Sequence, residues 1–304
     1  MLLPKRPYKP YKVDEKSIRN DEIFKIVFGS NDRYEQLKDF LEGVLHRKII
    51  HIAIRNDVAL NKIHADNKLM RLDILVEAED ENGEKEKINV EMQNTNEYNV
   101  SERSHTYASG MVYDSLKEAE SYIEIPKTIV IWILGFNMFK DGSYHEIARV
   151  KRDFNNENLF DKVEYHYIQL PKFLKQVQEI TTKEEQWLAY ISNSLNKEEL
   201  EELFKMNRSI EEINKIVDIV MSDDDVWNAL NERIMAKNLE NLKMAKARED
   251  GIEQGIEQGI ERGIEQGEKA EKINVAKRML EKKIDIKIIM EVTKLSEDEI
   301  KELQ

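Results

Sequence analysis

Asp73, Glu91 and Gln93 are the residues whose types and spacing best suit chemistry in this 304-residue chain. Asp73 interrupts the apolar run Leu72, Ile74, Leu75 and Val76, where an ionised carboxylate is costly unless something pairs with it. Glu91 and Gln93 stand two apart in Ile88-Asn-Val-Glu-Met-Gln93. On a strand, that spacing puts them on one face with Asn89, and Ile88, Val90 and Met92 on the other. Two carboxylates on neighbouring strands, aimed at the same side, make a hard-oxygen site that suits Mg²⁺. Such an ion orients a water, lowers its pKa and neutralises charge developing on a scissile phosphate. Gln93 can hydrogen-bond the attacking water or a phosphate oxygen, but an amide is neither a general base nor a cation. The bare pattern also recurs by chance, and a Glu91 facing solvent on an edge strand is the plain alternative.

The elements that must position these residues are legible around them. Leu69 to Gln93 reads as two antiparallel strands of alternating character, and Asn82-Gly83 between them is a strong hairpin signal because both residues tolerate positive φ. Upstream, Asn20 caps a short helix over Asp21 to Phe28 that stops at Gly29, and Asp21 in its first turn suits the helix dipole. A second helix begins at Asn31 or Asp32 and repeats Leu37, Phe40, Leu41, Val44 and Leu45 on one face. Ile49 to Leu60 is mixed and includes a short strand. Downstream, Ser101 caps a long helix towards Tyr122, with Arg103, Tyr107 and Met111 four apart on a common face. Thr128 to Leu134 is apolar throughout, as a central strand covered on both sides requires. A further strand runs from Tyr165 to Leu170. After Thr181 the pattern is helical, with Thr181 and Glu184, and Ser209 and Glu212, as capping boxes, and Trp187, Leu188, Tyr190, Ile191 and Leu195 as core.

Residues 251–267 repeat Gly-Ile-Glu with period four. Five glycines cost about 4–5 kcal/mol in a helix relative to alanine, so a flexible linker and a self-association helix are both open readings. Residues 273–303 read as two short helices with Ser296 and Glu299 as a cap. They have the length of a helix-turn-helix, but their charges nearly cancel, which favours a packing or oligomerisation module.

Composition sets the bounds. The chain has no cysteine, which excludes disulfides and thiolate zinc sites. Its apolar runs are too short for a membrane helix and it has no signal-peptide core, so a soluble, intracellular protein is expected. The net charge is −13, but residues 1–72 hold fifteen Lys/Arg against ten Asp/Glu, or +5, leaving −18 on the remainder. That imbalance permits DNA binding without announcing it. The basic arm over residues 1–20 (Lys5, Arg6, Lys9, Lys12, Lys16, Arg19) reads as a solvated tail, with a phosphate-contacting arm as the alternative.

The order Asn20-Asp21-Glu-Ile-Phe24-Lys25 with Phe28-Gly29, then Arg71-Leu-Asp73, Val90-Glu91-Met-Gln93, and Arg103 with Tyr107-Ala108 resembles the Rpn family of recombination-promoting nucleases and transposase-like proteins, within the PD-(D/E)xK superfamily. The likeness continues through His166-Tyr167-Ile-Gln-Leu170-Pro171-Lys172-Phe173 and the Gly-Ile-Glu repeat. The resemblance implies an α/β, restriction-endonuclease-like core with a mixed sheet flanked by helices and a helical C-terminal extension. It implies a Mg²⁺-dependent DNA endonuclease of the bacterial cytoplasm, with Mn²⁺ as a second usable ion and recombination or transposition as its setting. Asp73 and Glu91 become the metal ligands, Asp21 the first-helix acid, and Gln93 stands where the superfamily places a lysine. That exchange removes one positive charge near the phosphate, for which Arg71 or Arg103 can substitute. Lys25, Arg71 and Arg103 are the expected phosphate contacts. The alternative is a weak or inactive nuclease fold that binds DNA or assembles. The expected division is an arm at 1–20, a nuclease-like core at 21–175, a helical extension at 176–248, the repeat at 249–270 and a helical module at 271–304, the last regions supporting a homo-oligomer.

Overall fold

The computed structural model describes residues 17–59, 71–116 and 121–303. Most of the basic arm, residues 1–16, lies outside them, as does Leu60. Residues 17–20 are not a solvated tail: they form a turn in which Asn20 N–H donates to Ser17 O, and Ile18 and Arg19 are buried. Asn20 Oδ1 then accepts from the Glu22 and Ile23 amides, starting α1 (Asp21–Phe28) as its capping residue type dictates. The second helix starts later than its sequence suggests. Asn31–Arg33 is a 3-10 turn, and α2 occupies Tyr34–Leu45 with Leu37, Phe40, Leu41 and Val44 buried.

Six strands follow: β1 (Ile49–Ala59), β2 (Arg71–Asp80), β3 (Lys85–Gln93), β4 (Lys127–Leu134), β5 (His145–Arg149) and β6 (Val163–Gln169). They form one sheet in the order β1-β2-β3-β4-β6-β5. The β1/β2, β2/β3 and β5/β6 pairs are antiparallel, while β3/β4 and β4/β6 are parallel. The parallel β3/β4 pair needs a crossover, which contains α3 (Val100–Ser115). This helix begins one residue before Ser101 and ends well short of Tyr122. Sequence reading undersized β1 and missed β5, whose five residues are half-buried or exposed and carry little apolar signal.

The β2/β3 connection departs from the expected two-residue turn. Gly83 has φ +78 while Asn82 does not enter the left-handed region. The loop is instead organised by Asp80, whose Oδ1 accepts from the Asn82 and Glu84 amides at 2.9 Å each.

Side-chain alternation divides the core between the sheet's two faces. Ile88, Val90, Ile129, Ile131 and Ile133 pack with α1, α2 and the later helices α4 (Lys183–Ile191), α5 (Lys197–Met206) and α6 (Arg208–Ser222). Val130, Trp132, Leu134 and Tyr167 pack with Ala108 and Met111 of α3. Trp187, Leu188, Ile210, Ile213 and Val217 belong to the first cluster, so residues beyond 176 build the same core as the sheet. Two capping assignments shift. Thr182 and Glu185, not Thr181 and Glu184, make the box opening α4, and α6 is capped by Asn207 rather than Ser209.

The chain divides into two compact units, residues 1–234 and 235–304. The Gly-Ile-Glu repeat is helical, inside α7 (Asp224–Glu281). In the second unit, Ala276 of α7, Ile289 of α8 (Ile286–Thr293), Leu295, and Ile300 of α9 (Glu297–Lys301) form a small core.

Candidate active site

Glu91 sits on a central strand, not an edge, and is 2 % exposed. The regular β2/β3 pairing ends at Ile74↔Val90, and Asp73 and Glu91 are the next residues on either strand. The Asp73 amide donates to Glu91 Oε1 at 3.1 Å, and Asn89 Nδ2 donates to the same oxygen at 3.1 Å. The two acids therefore stand close together. Burial pushes the Glu91 carboxyl up to about 8, and the nearby Asp73 charge adds to the rise.

Two cations enter from different helices. Lys25 of α1 places Nζ 3.0 Å from Asp73 Oδ1. Burial works against its ammonium, yet Asp73 and Glu22, with a further contribution from Asp21, hold it above its ordinary range. Arg103 of α3 lies 3.4 Å from Glu91 Oε2 and donates from Nη1 to Gln93 Oε1 at 2.7 Å. Its guanidinium is 4.8 Å from the Trp132 ring centroid, within cation–π range. It also donates to the Tyr107 hydroxyl at 3.1 Å, while the Tyr107 ring stacks on Trp132. Tyr107 therefore packs and also orients a charge.

Gln93 is engaged within the protein at both ends of its amide. Its Nε2 donates to Thr95 O at 2.8 Å and its Oε1 is taken by Arg103, so the amide positions the arginine. Asp21 stands one turn before Lys25 on α1, and its charge acts on that lysine. The Arg71 side chain lies outside the described residues. The placement of Lys25 at Asp73 was missed, although the i,i+4 spacing of Asp21 and Lys25 put both on one helix face.

A mixed sheet with an acid on one strand and Glu-x-Gln on its neighbour, covered by helices on both faces, defines a PD-(D/E)XK nuclease fold. The chain belongs to this group: the model described as PD-(D/E)XK nuclease family transposase matches residues 18–247. The model described as Rpn/YhgA-like nuclease family, C-terminal HTH domain, matches residues 269–304, which makes the chain a member of the Rpn family. That match names a helix-turn-helix where the near-cancelling charges favoured a packing or oligomerisation module. No curated protein and no solved structure matches the chain. No helix among the described residues is long and apolar enough to cross a membrane.

Proposed function

We propose that this protein is a Mg²⁺-dependent DNA endonuclease that hydrolyses phosphodiester bonds in the cytoplasm, in the setting of recombination or transposition. The observation that carries this reading is the meeting of Asp73 and Glu91 through the 3.1 Å bond from the Asp73 amide. The residues fit a hard divalent ion. Two adjacent carboxyl groups repel strongly enough to help hold Glu91 protonated, a conflict that a divalent charge removes, and the neighbouring Asn89 Oδ1 is a buried oxygen without a hydrogen-bond partner. Asp73 and Glu91 would hold the ion, with Mn²⁺ as a substitute. Bound there, it would supply an acidified water and offset charge on the scissile phosphate.

The chain's own groups do the rest. Lys25 supplies the ammonium that Gln93 lacks, delivered from α1 rather than from the strand. Arg103, held by Gln93, Tyr107 and Trp132, supplies a second cation for the phosphate oxygens. Purified protein incubated with supercoiled plasmid and Mg²⁺ is expected to nick it, and Asp73→Ala and Glu91→Ala are expected to abolish nicking. Cleavage that persists in both variants refutes the assignment.

One observation favours a second reading, a DNA-binding or assembly protein with little activity. Both ends of Gln93 are engaged, and both carboxylates already carry a cation. It predicts DNA retention without cleavage in Mg²⁺ or Mn²⁺. A homo-oligomer formed through α7 completes the proposal, supported by Ile252, Ile256, Ile260 and Ile264, all 54–60 % exposed.

A further inference from the structure

Away from the carboxylate pair, three side chains from separate elements of the first unit converge. His46 ends α2 at φ +53, His145 opens the edge strand β5, and Glu184 lies in the first turn of α4. His145 Nδ1 is 2.6 Å from Glu184 Oε1, and His46 Nε2 is 3.2 Å from Glu184 Oε2. One ligand atom from each of the three lies within 4.8 Å of the other two. Glu184 is 4 % exposed, and among the described residues its ion-pairing partners are these two imidazoles.

Behind them runs a relay whose proton count is informative. His145 Nε2 is 2.9 Å from His166 Nδ1, and His166 Nε2 is 3.6 Å from Glu164 Oε2, too long for a normal hydrogen bond. His166 is 2 % exposed and its Nε2 has no hydrogen-bond partner. With neutral rings, His145 Nδ1–H must donate to Glu184, so His145 Nε2 accepts from His166 Nδ1–H. That leaves a bare His166 Nε2 lone pair facing the Glu164 carboxylate. A cation on His145 Nδ1 reverses the order: His145 Nε2–H donates to His166 Nδ1, and His166 Nε2–H donates to Glu164. Metal-bound histidines are normally backed in this way by a second hydrogen-bonding group and a carboxylate.

We propose that His46, His145 and Glu184 form a second metal site, for Zn²⁺ or a divalent ion of similar softness, backed by His166 and Glu164. Two imidazoles and one carboxylate suit zinc and not Mg²⁺, which prefers an all-oxygen shell. Ligand atoms in a tetrahedral zinc shell stand about 3.4 Å apart, so the 2.6 Å His145–Glu184 spacing would open by under an ångström, while no spacing in the set exceeds 4.8 Å. Exposure of His46, 56 % for its side chain, leaves an open approach and room for water as fourth ligand. The ion would clip the edge strand β5 to α2 and α4.

Full-length protein in the Asp73→Ala background separates this site from the carboxylate pair. Titrated with Zn²⁺ against a chromogenic chelator, it is expected to take up one ion per chain, and Co²⁺ to give a tetrahedral absorption band. Zn²⁺ at a hundredfold excess over Kd is expected to raise the melting midpoint by roughly 5–10 °C. His46→Asn keeps a residue that tolerates left-handed backbone at an exposed position, and Glu184→Gln keeps the shape of the buried one. Each is expected to weaken Zn²⁺ binding by more than about 100-fold, the upper end of what losing an outer partner costs. Absence of Zn²⁺ and Co²⁺ uptake, or uptake and melting shifts unchanged in both variants, overturns the site.

Discussion

At the scale of single residues, Glu91 carries the sharpest consequence. In metal-free protein its carboxyl is raised by burial and by Asp73 from 4.5 to about 8. Between those values the folded chain holds a proton that the unfolded chain has released, so its contribution to stability falls as pH rises through this window and is level above it. Glu91→Gln removes that dependence. In EDTA, its stability relative to wild type is expected to improve by on the order of 2–4 kcal/mol from pH 5 to pH 9, read by urea unfolding. Parallel pH profiles for the two proteins would show that Glu91 is ionised throughout. Lys25 makes a separate prediction. It is partly exposed, so Lys25→Ala should fold, yet lose about 10²–10³-fold in nicking rate, with Lys25→Arg recovering part. An Ala variant with wild-type nicking would leave the ammonium only a structural partner of Asp73. Strand alternation, with its fixed period, singled out the acids as candidates. The meeting of Lys25 with Asp73 and the His46, His145 and Glu184 cluster were not legible, because no local spacing records which helix meets which strand.

Among the elements, those with local determinants were read most closely. Asn20 fixes α1, and the unbroken apolar run of β4 matches a strand bonded in parallel on both sides. The loop before β3 was misread because Asp80, outside the supposed turn, supplies the acceptor that shapes it. The repeat in α7 was ambiguous for an energetic reason. Its glycines disfavour a helix, and a Cβ added to any of the five would meet nothing within 4 Å. Gly255→Ala with Gly259→Ala is therefore expected to stabilise the isolated chain's helix by up to about 2 kcal/mol. If the glycine row packs on a second copy, the same change weakens self-association. Residues four apart advance about 40° around the helix, so the isoleucine row winds, and the period above 3.6 favours a right-handed pairing. Sedimentation equilibrium and melting curves on the double variant check this together. Unchanged association with a higher melting midpoint would remove the glycines from the interface.

For the whole molecule, the helix-turn-helix match suggests DNA binding by the second unit, and its charges say on which side. Its last 36 residues hold nine Lys/Arg and eight Asp/Glu, a balance that conceals a strong ordering. Lys277, Arg278, Lys282, Lys283 and Lys287 are exposed and fall between the end of α7 and the start of α8, whereas Glu297, Asp298 and Glu299 crowd the first turn of α9. An acidic helix start repels phosphate, so if the unit binds DNA, backbone contacts are expected on the α7–α8 side even though helix-turn-helix proteins usually present their second helix to the groove. Reversing Lys277, Lys282 and Lys287 to Glu is expected to leave the fold intact, since all three are exposed. If each neutralises one phosphate, the slope of log affinity against log salt should shrink by about 2–3. Glu297→Gln with Asp298→Asn should leave that slope near the wild-type value. The opposite pattern, a slope indifferent to the lysines but steepened by neutralising α9, would move the phosphate contacts to α9 and reverse the polarity of docking.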